Sequence, residues 1–226
     1  MELKKEIDGV YWLLNDGKNK RTLVTQSAYG DASVYGEKIF RYNNSIYREW
    51  IPHRSKFAAA FYKGLTSIDL KNSYTVLYLG ASSGTTVSHV SDMIGTNGKV
   101  YAIEIAEEMA VNLVLLANNR KNIFPIVNDA RKPLLYKSSV PKCDFLYQDV
   151  AQRDQTEIFI QNADMFLKSG KIGVFAIKTR SIDVSVNPKE IIRNETNKLR
   201  GKFDVLRSID LYPYQKDHSL LILRKK

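Results

Sequence analysis

Glu104, Asp129 and Asp149 are three carboxylates that each close a short apolar run, and Lys178 closes a fourth. Lys99 to Ile103 leads to Glu104 and Ile105. Ile123 to Val127 leads to Asn128-Asp129-Ala130-Arg131. Cys143 to Tyr147 leads to Gln148-Asp149-Val150-Ala151-Gln152, and Ile172 to Ile177 leads to Lys178. Upstream, Val76 to Leu79 runs into Gly80-Ala81-Ser82-Ser83-Gly84-Thr85-Thr86, a turn of two glycines and several hydroxyls. A glycine-bearing turn between a strand and a helix brings backbone N–H groups close to a phosphate or nucleotide. A carboxylate at a strand end can accept hydrogen bonds from a ribose diol or an amino group. A lysine can take up a proton where another cation and burial disfavour its charge. The spacing Gly80-x-x-x-Gly84 is not the triple glycine of dinucleotide enzymes, so an adenosine ligand other than NAD is favoured. Three histidines and one cysteine give no zinc-ligand spacing, and no Walker or Gly-x-Ser-x-Gly arrangement occurs.

Positioning these groups needs parallel strands with their carboxyl ends on one edge. Val87, Val90, Ser91 and Ile94 share a helix face after the glycine turn. Glu107–Asn119, with Met109, Leu113 and Leu116 facing inward, 154–167 and Pro188–Leu199 also read as helices. Strands alternating with such helices predict a mainly parallel, doubly wound α/β sheet. Asp204 to Ile209 and Ser219 to Leu223 follow as strands joined by too few residues for a helical crossover, so the last strand is predicted antiparallel. The expected sheet is Rossmann-like and seven-stranded, a pattern similar to class I methyltransferases. Residues 51–226 form this expected domain. Ser55 to Leu65 reads as its first helix and carries Lys56 in the first turn, where a cation is mildly unfavourable with the helix dipole. Residues 1–50 read as a small β-rich subdomain of two hairpins. Val10–Leu14 and Arg21–Thr25 flank Asn15-Asp16-Gly17-Lys18-Asn19, and Lys38–Tyr42 and Ile46–Trp50 flank Asn43-Asn44-Ser45.

The formal charge of +10 is uneven: residues 168–226 hold 14 basic and 6 acidic side chains. That bias points to a polyanionic partner near Lys178, Arg180, Lys189, Arg193, Lys198 and Arg200. No RRM or KH aromatic signature for reading bases is present. The single cysteine, Cys143, suits a reducing compartment. No apolar run approaches the ~20 residues that cross a bilayer, so no membrane partner is expected.

The chain resembles the fibrillarin family. The resemblance rests on Tyr78 through Asp92, on Tyr147-Gln148-Asp149-Val150-Ala151-Gln152 and on Ala176-Ile177-Lys178-Thr179-Arg180-Ser181-Ile182-Asp183. Tyr47-Arg48-Glu49-Trp50, Arg54-Ser55-Lys56 and Lys216-Asp217-His218 add to it. Departures are small, such as Thr179 in place of the usual alanine. The resemblance implies transfer of a methyl group from S-adenosylmethionine to RNA ribose 2′-hydroxyls in rRNA and tRNA. It also implies work within a box C/D ribonucleoprotein. The implied partners are the guide and target RNAs, a Nop-domain scaffold and a kink-turn-binding ribosomal-type protein. No Gly/Arg-rich N-terminal tail is present, so an archaeal-type, cytoplasmic protein is expected. The family's Lys-Asp-Lys-His tetrad matches Lys56, Asp149, Lys178 and His218. Lys178 is then the candidate base, Lys56 the cation favouring its neutral form, Asp149 the orienting group, and His218 the residue that positions the target. The expected cofactor set is Gly80, Ala81, Ser82, Gly84, Thr85, Thr86, Glu104, Ile105, Asp129, Ala130, Asp149 and Gln152. Within it, Glu104 would take the ribose and Asp129 the adenine amino group, while Asp149 would lie near the sulfonium. Three other readings stay open: an unaided ribose methyltransferase, a silent structural subunit, and a methyltransferase of small molecules or protein, including protein glutamine.

Overall fold

The computed structural model describes residues 2–14 and 21–226, and the expected turn at 15–19 lies outside them. Five strands form an antiparallel N-terminal sheet: β1 (Glu2–Ile7), β2 (Val10–Leu14), β3 (Arg21–Gln26), β4 (Ile39–Tyr42) and β5 (Ser45–Glu49). Their order is β1-β2-β3-β5-β4. Both expected hairpins are there, and β1 is an addition to them. Glu2-Leu3-Lys4-Lys5-Glu6-Ile7 is too polar to signal a strand, because β1 is an edge with its side chains largely in solvent. Asn43 and Asn44 turn the second hairpin with φ of 45° and 60°, the left-handed pair that a tight hairpin turn demands.

The second sheet holds β6 (Thr75–Leu79), β7 (Lys99–Glu104), β8 (Ile123–Val127), β9 (Cys143–Gln148), β10 (Leu167–Lys178), β11 (Phe203–Asp210) and β12 (His218–Lys225). The order is β11-β12-β10-β9-β6-β7-β8. β12 runs antiparallel to both β10 and β11, as the short connection requires. The central strands alternate faithfully. Val76, Tyr78, Phe145, Tyr147, Val174 and Ala176 point to one face. Leu77, Leu79, Leu146, Phe175 and Ile177 point to the other.

Helices cover both faces. α1 (Lys56–Tyr62), α2 (Thr85–Ile94) and α3 (Glu107–Asn119) lie on the first, and α4 (Gln155–Phe166) and α6 (Pro188–Leu199) on the second. A short α5 (Thr179–Ile182) follows β10 directly. α1 stops three residues short of the expected end, although Leu65 stays buried. On α3 the inward face is narrower than expected: Ala110 and Leu113 are buried, while Met109 and Leu116 are only half-buried. The N-terminal sheet does not have a core to itself alone. Val10, Trp12, Leu23 and Trp50 pack into the same cluster as Phe57 of α1 and Val87 and Val90 of α2.

Candidate active site

The strand ends gather as the parallel topology dictates. Leu79 ends β6, and its carbonyl accepts the Asp149 N–H at 2.9 Å, while the N–H groups of Gly80 and Ala81 both donate to the Ile103 carbonyl at 3.0 Å. Gly80 has φ +77°, and a Cβ there would lie 2.9 Å from the Asp149 carbonyl carbon, closer than atoms can approach. The backbone cradle therefore admits only glycine. Ser82 follows with φ 50° and donates its N–H to Glu104 Oε2 at 2.6 Å, while Ala106 N–H donates to Oε1 at 2.8 Å. Glu104 thus ties the loops after β6 and β7 together and keeps a second lone pair free on each oxygen. Asp129 Oδ1 accepts the Arg131 N–H at 2.9 Å.

These loops enclose a cavity of about 220 Å³. Gly80, Ser82, Glu104, Ile105, Asp129, Ala130, Asp149 and Gln152 all line it. A narrow backbone cradle with acceptor carboxylates along it fits a cationic, diol-bearing adenosine ligand. Ala81, Gly84, Thr85 and Thr86, expected in the same set, do not line this cavity. Gly84, with φ +93°, is the N-cap of α2, and Thr85 opens onto the opposite side of the turn. Thr86 is buried, and its hydroxyl donates to Ser55 Oγ at 3.0 Å. Asn128, Arg131 and Val150 line the cavity without having been expected there. They are neighbours of expected residues, and nothing in their types alone marks a ligand contact.

The tetrad is brought together from three directions. Ser55 caps α1, its Oγ accepting the Ala58 N–H, so Lys56 stands at the first helical position. Lys56 Nζ reaches Asp149 Oδ2 at 2.8 Å, with both side chains about one-fifth exposed. The unfavourable position of a cation in the first turn is thereby offset by a carboxylate from the sheet. Lys178 ends β10 directly opposite His218, the first residue of β12. Cross-strand partners share a face of the sheet, so the two side chains are neighbours. His218 Nδ1 lies 2.6 Å from the Lys216 carbonyl, a contact in which Nδ1 carries the proton and Nε2 is left as an acceptor. Burial pulls the His218 pKa below 6.5, Lys56 and Lys178 lower it further, and Asp149 acts in the opposite sense. His218 therefore lies within reach of the charges of the other three groups.

Asp217 locks this corner. Its carbonyl accepts both the N–H and the hydroxyl of Thr179 at 3.1 Å, and its carboxylate pairs with Arg180 Nε at 2.6 Å. Thr179, where the resemblance led to alanine being expected, thus adds a hydrogen bond to the loop that carries His218. Arg180 and Lys198, expected on a polyanion-binding face, already have partners: Asp217 for the first, Glu157 and Glu195 for the second. Lys189, Arg193 and Arg200 are exposed.

With the geometry in view, likeness to known proteins is specific. The family model described as Fibrillarin matches residues 1–226. The fibrillarin-like rRNA/tRNA 2′-O-methyltransferase of Pyrococcus abyssi is 42% identical over 226 residues, spanning 100% of this chain and 99% of the relative. Among solved structures, Aeropyrum pernix fibrillarin with natively bound S-adenosyl-L-methionine superposes with TM-score 0.89 at 41% identity. That match covers 99% of this chain and 98% of the other. A fibrillarin from a fibrillarin/Nop5p complex gives TM-score 0.87 at 42% identity, covering 97% and 98%.

Proposed function

The chain belongs to the fibrillarin family, and we propose that it methylates ribose 2′-hydroxyls of rRNA and tRNA as the catalytic subunit of a box C/D ribonucleoprotein. It is an S-adenosylmethionine-dependent methyltransferase, like the relatives it matches. The observation that carries the reading is the meeting of Lys56–Asp149 with Lys178–His218 beside the carboxylate-lined cavity.

The cofactor, when bound, supplies an electrophilic methyl group on a sulfonium. The residues that would hold it are Gly80 and Ser82 through backbone, Glu104 at the ribose diol, Asp129 at the adenine amino group and Asp149 toward the sulfonium. Lys56 fixes the Asp149 carboxylate through their ion pair. His218, neutral at neutral pH, packs against the target nucleotide and orients it, leaving the 2′-hydroxyl proton to Lys178. Lys178 Nζ takes the proton of the 2′-hydroxyl as the oxygen attacks, which restores a neutral ether product. Aligning the attacking oxygen with the methyl group is the larger share of the work, on the order of 7–11 kcal/mol when positioning is ideal. Proton removal adds a factor of about 10²–10⁴.

A Nop-domain scaffold protein is the partner in this reading, as Nop5p is for the fibrillarin it was solved with. A guide RNA, its target and a kink-turn-binding protein complete the particle, and the chain's own basic residues hold phosphates without choosing sequence. We take the particle to be cytoplasmic, in keeping with the reduced, buried Cys143, and cell fractionation checks that. Labelled methyl transfer to a guide-paired RNA tests the whole. Turnover is expected when scaffold and guide are present and not with the purified chain on naked RNA. Efficient site-specific methylation by the chain alone would remove the guided part of the reading.

A further inference from the structure

β10 outruns its neighbour. The parallel ladder between β9 and β10 ends with Phe175 beside Gln148, yet β10 continues to Lys178. On that side the last residues of β10 have no strand to bond to, and Lys178 turns both backbone groups toward the gap. Gln155, the first residue of α4 and fully buried, fills it. Its Oε1 accepts the Lys178 N–H at 3.0 Å, and its Nε2 donates to the Lys178 carbonyl at 3.1 Å. The same Nε2 donates to the Gln152 carbonyl at 2.9 Å, and Gln152 lines the cofactor cavity. Gln148 Nε2 in turn donates to the Gln155 backbone carbonyl at 2.6 Å, which fixes the start of α4. One side-chain amide therefore stands in for a missing strand residue.

We propose that Gln155 is a positioning residue for methyl transfer: it sets the backbone of Lys178 and couples that position to the cofactor loop through Gln152. The inference rests on the reading of Lys178 as the base. No other side chain of similar size offers an acceptor and a donor in this plane. Glutamate at this position turns a second acceptor toward two carbonyls, asparagine is a methylene short, and leucine satisfies none of the three backbone groups.

The test is a double-mutant cycle on the assembled particle, using single-turnover methyl transfer at saturating cofactor and RNA, with S-adenosylmethionine affinity measured separately by calorimetry. Gln155→Leu is expected to slow transfer by roughly 10–100-fold, the cost of a displaced reacting group, while cofactor affinity changes by no more than about threefold. Lys178→Ala is expected to lose at least as much, and Gln155→Leu added to it is expected to cost nothing further, because both changes remove the same function. Gln155→Glu, nearly isosteric, is expected to behave as the leucine variant does and replaces it if leucine prevents folding. Losses that multiply in the double variant, or transfer that is unaffected by both Gln155 changes, would overturn the positioning role and leave Lys178 as base. Full transfer by Lys178→Ala would instead overturn the base reading on which the inference stands.

Discussion

A carboxylate and a lysine at two strand ends are given separable tasks, and the separation can be measured. Asp129 lines the cavity, whereas Lys178, paired with His218 across β10 and β12, does not. Asp129→Ala should weaken S-adenosylmethionine binding by about tenfold or more, the worth of a hydrogen bond to a charged acceptor. Lys178→Ala should spare binding and lower the transfer rate by about 10²–10⁴. Equal loss of binding in both variants by calorimetry would mean that the roles are misassigned. His218 enters the reaction neutral, since burial and the two lysines hold its pKa down. Acidification should therefore leave its contribution intact down to below pH 6.5. Cys143 illustrates the opposite fate of a reactive type. Burial pushes its thiol pKa up to about 12, with Asp144 adding to the effect. It should stay unmodified by a thiol reagent at pH 8 in the folded chain and react at once in denaturant. Rapid modification of the native protein would show that the strand end opens.

At the scale of elements, the turn after β6 is the least forgiving segment. Gly80→Ala places a methyl against the Asp149 carbonyl in a backbone conformation that alanine avoids. The two loops must part, so cofactor binding should fall by an order of magnitude or more while the far helices keep their packing; unchanged affinity in a titration would contradict the cradle. Ser55→Ala removes both the cap of α1 and the acceptor for Thr86, and about 1 kcal/mol of stability should go with the cap. The strands β6 to β9, the Ile172–Ile177 part of β10 and the helices between them were legible in the sequence because their apolar runs and periodicities agree with the turns that bound them; the polar start of β10, from Leu167 to Lys171, was not. β1 was not, since an exposed edge strand leaves no apolar pattern. Thr86 looked like a ligand contact because it sits in the glycine turn. Its burial under α1 depends on Ser55, thirty-one positions away. Gln155 read as part of the first turn of a helix and as a small departure within the family resemblance. Its task exists only because β9 ends three residues before β10, a mismatch of strand lengths that no local spacing records.

The whole molecule is held as one body by charges that the sequence did not announce. Arg48 of β5, itself fully buried, meets Glu37 at 2.6 Å, Asp92 of α2 at 2.6 Å and Ser88 Oγ at 2.9 Å. Arg120 meets the other Asp92 oxygen at 2.7 Å. The network is electrically balanced and fixes α2, the helix that follows the glycine turn, to the N-terminal sheet. Arg48→Ala would leave two buried carboxylates short of a partner and should destabilise the fold by about 3–5 kcal/mol in denaturant titration. A loss under 1 kcal/mol would mean that the sheets are not coupled through it. His89 stacks on Trp50 and bonds Thr25 and Tyr35 at 2.8 Å each. Burial drives its pKa well below 6.5, and Arg48 and Arg120 add to that. The unfolded chain takes up this proton first, so stability from His89 is present above pH 6.5 and declines as pH falls below it. A melting temperature that stays constant from pH 7 to pH 5 would contradict this. These supports serve one end, the delivery of a methyl group to a ribose oxygen. The most direct measurement compares labelled methyl transfer to a guide-paired RNA with transfer to the same RNA carrying a 2′-deoxy sugar at the target. Label on the ribose and none on the deoxy target is the predicted result. Label on the deoxy RNA would put the methyl group on a base and contradict the roles given to Lys178 and His218.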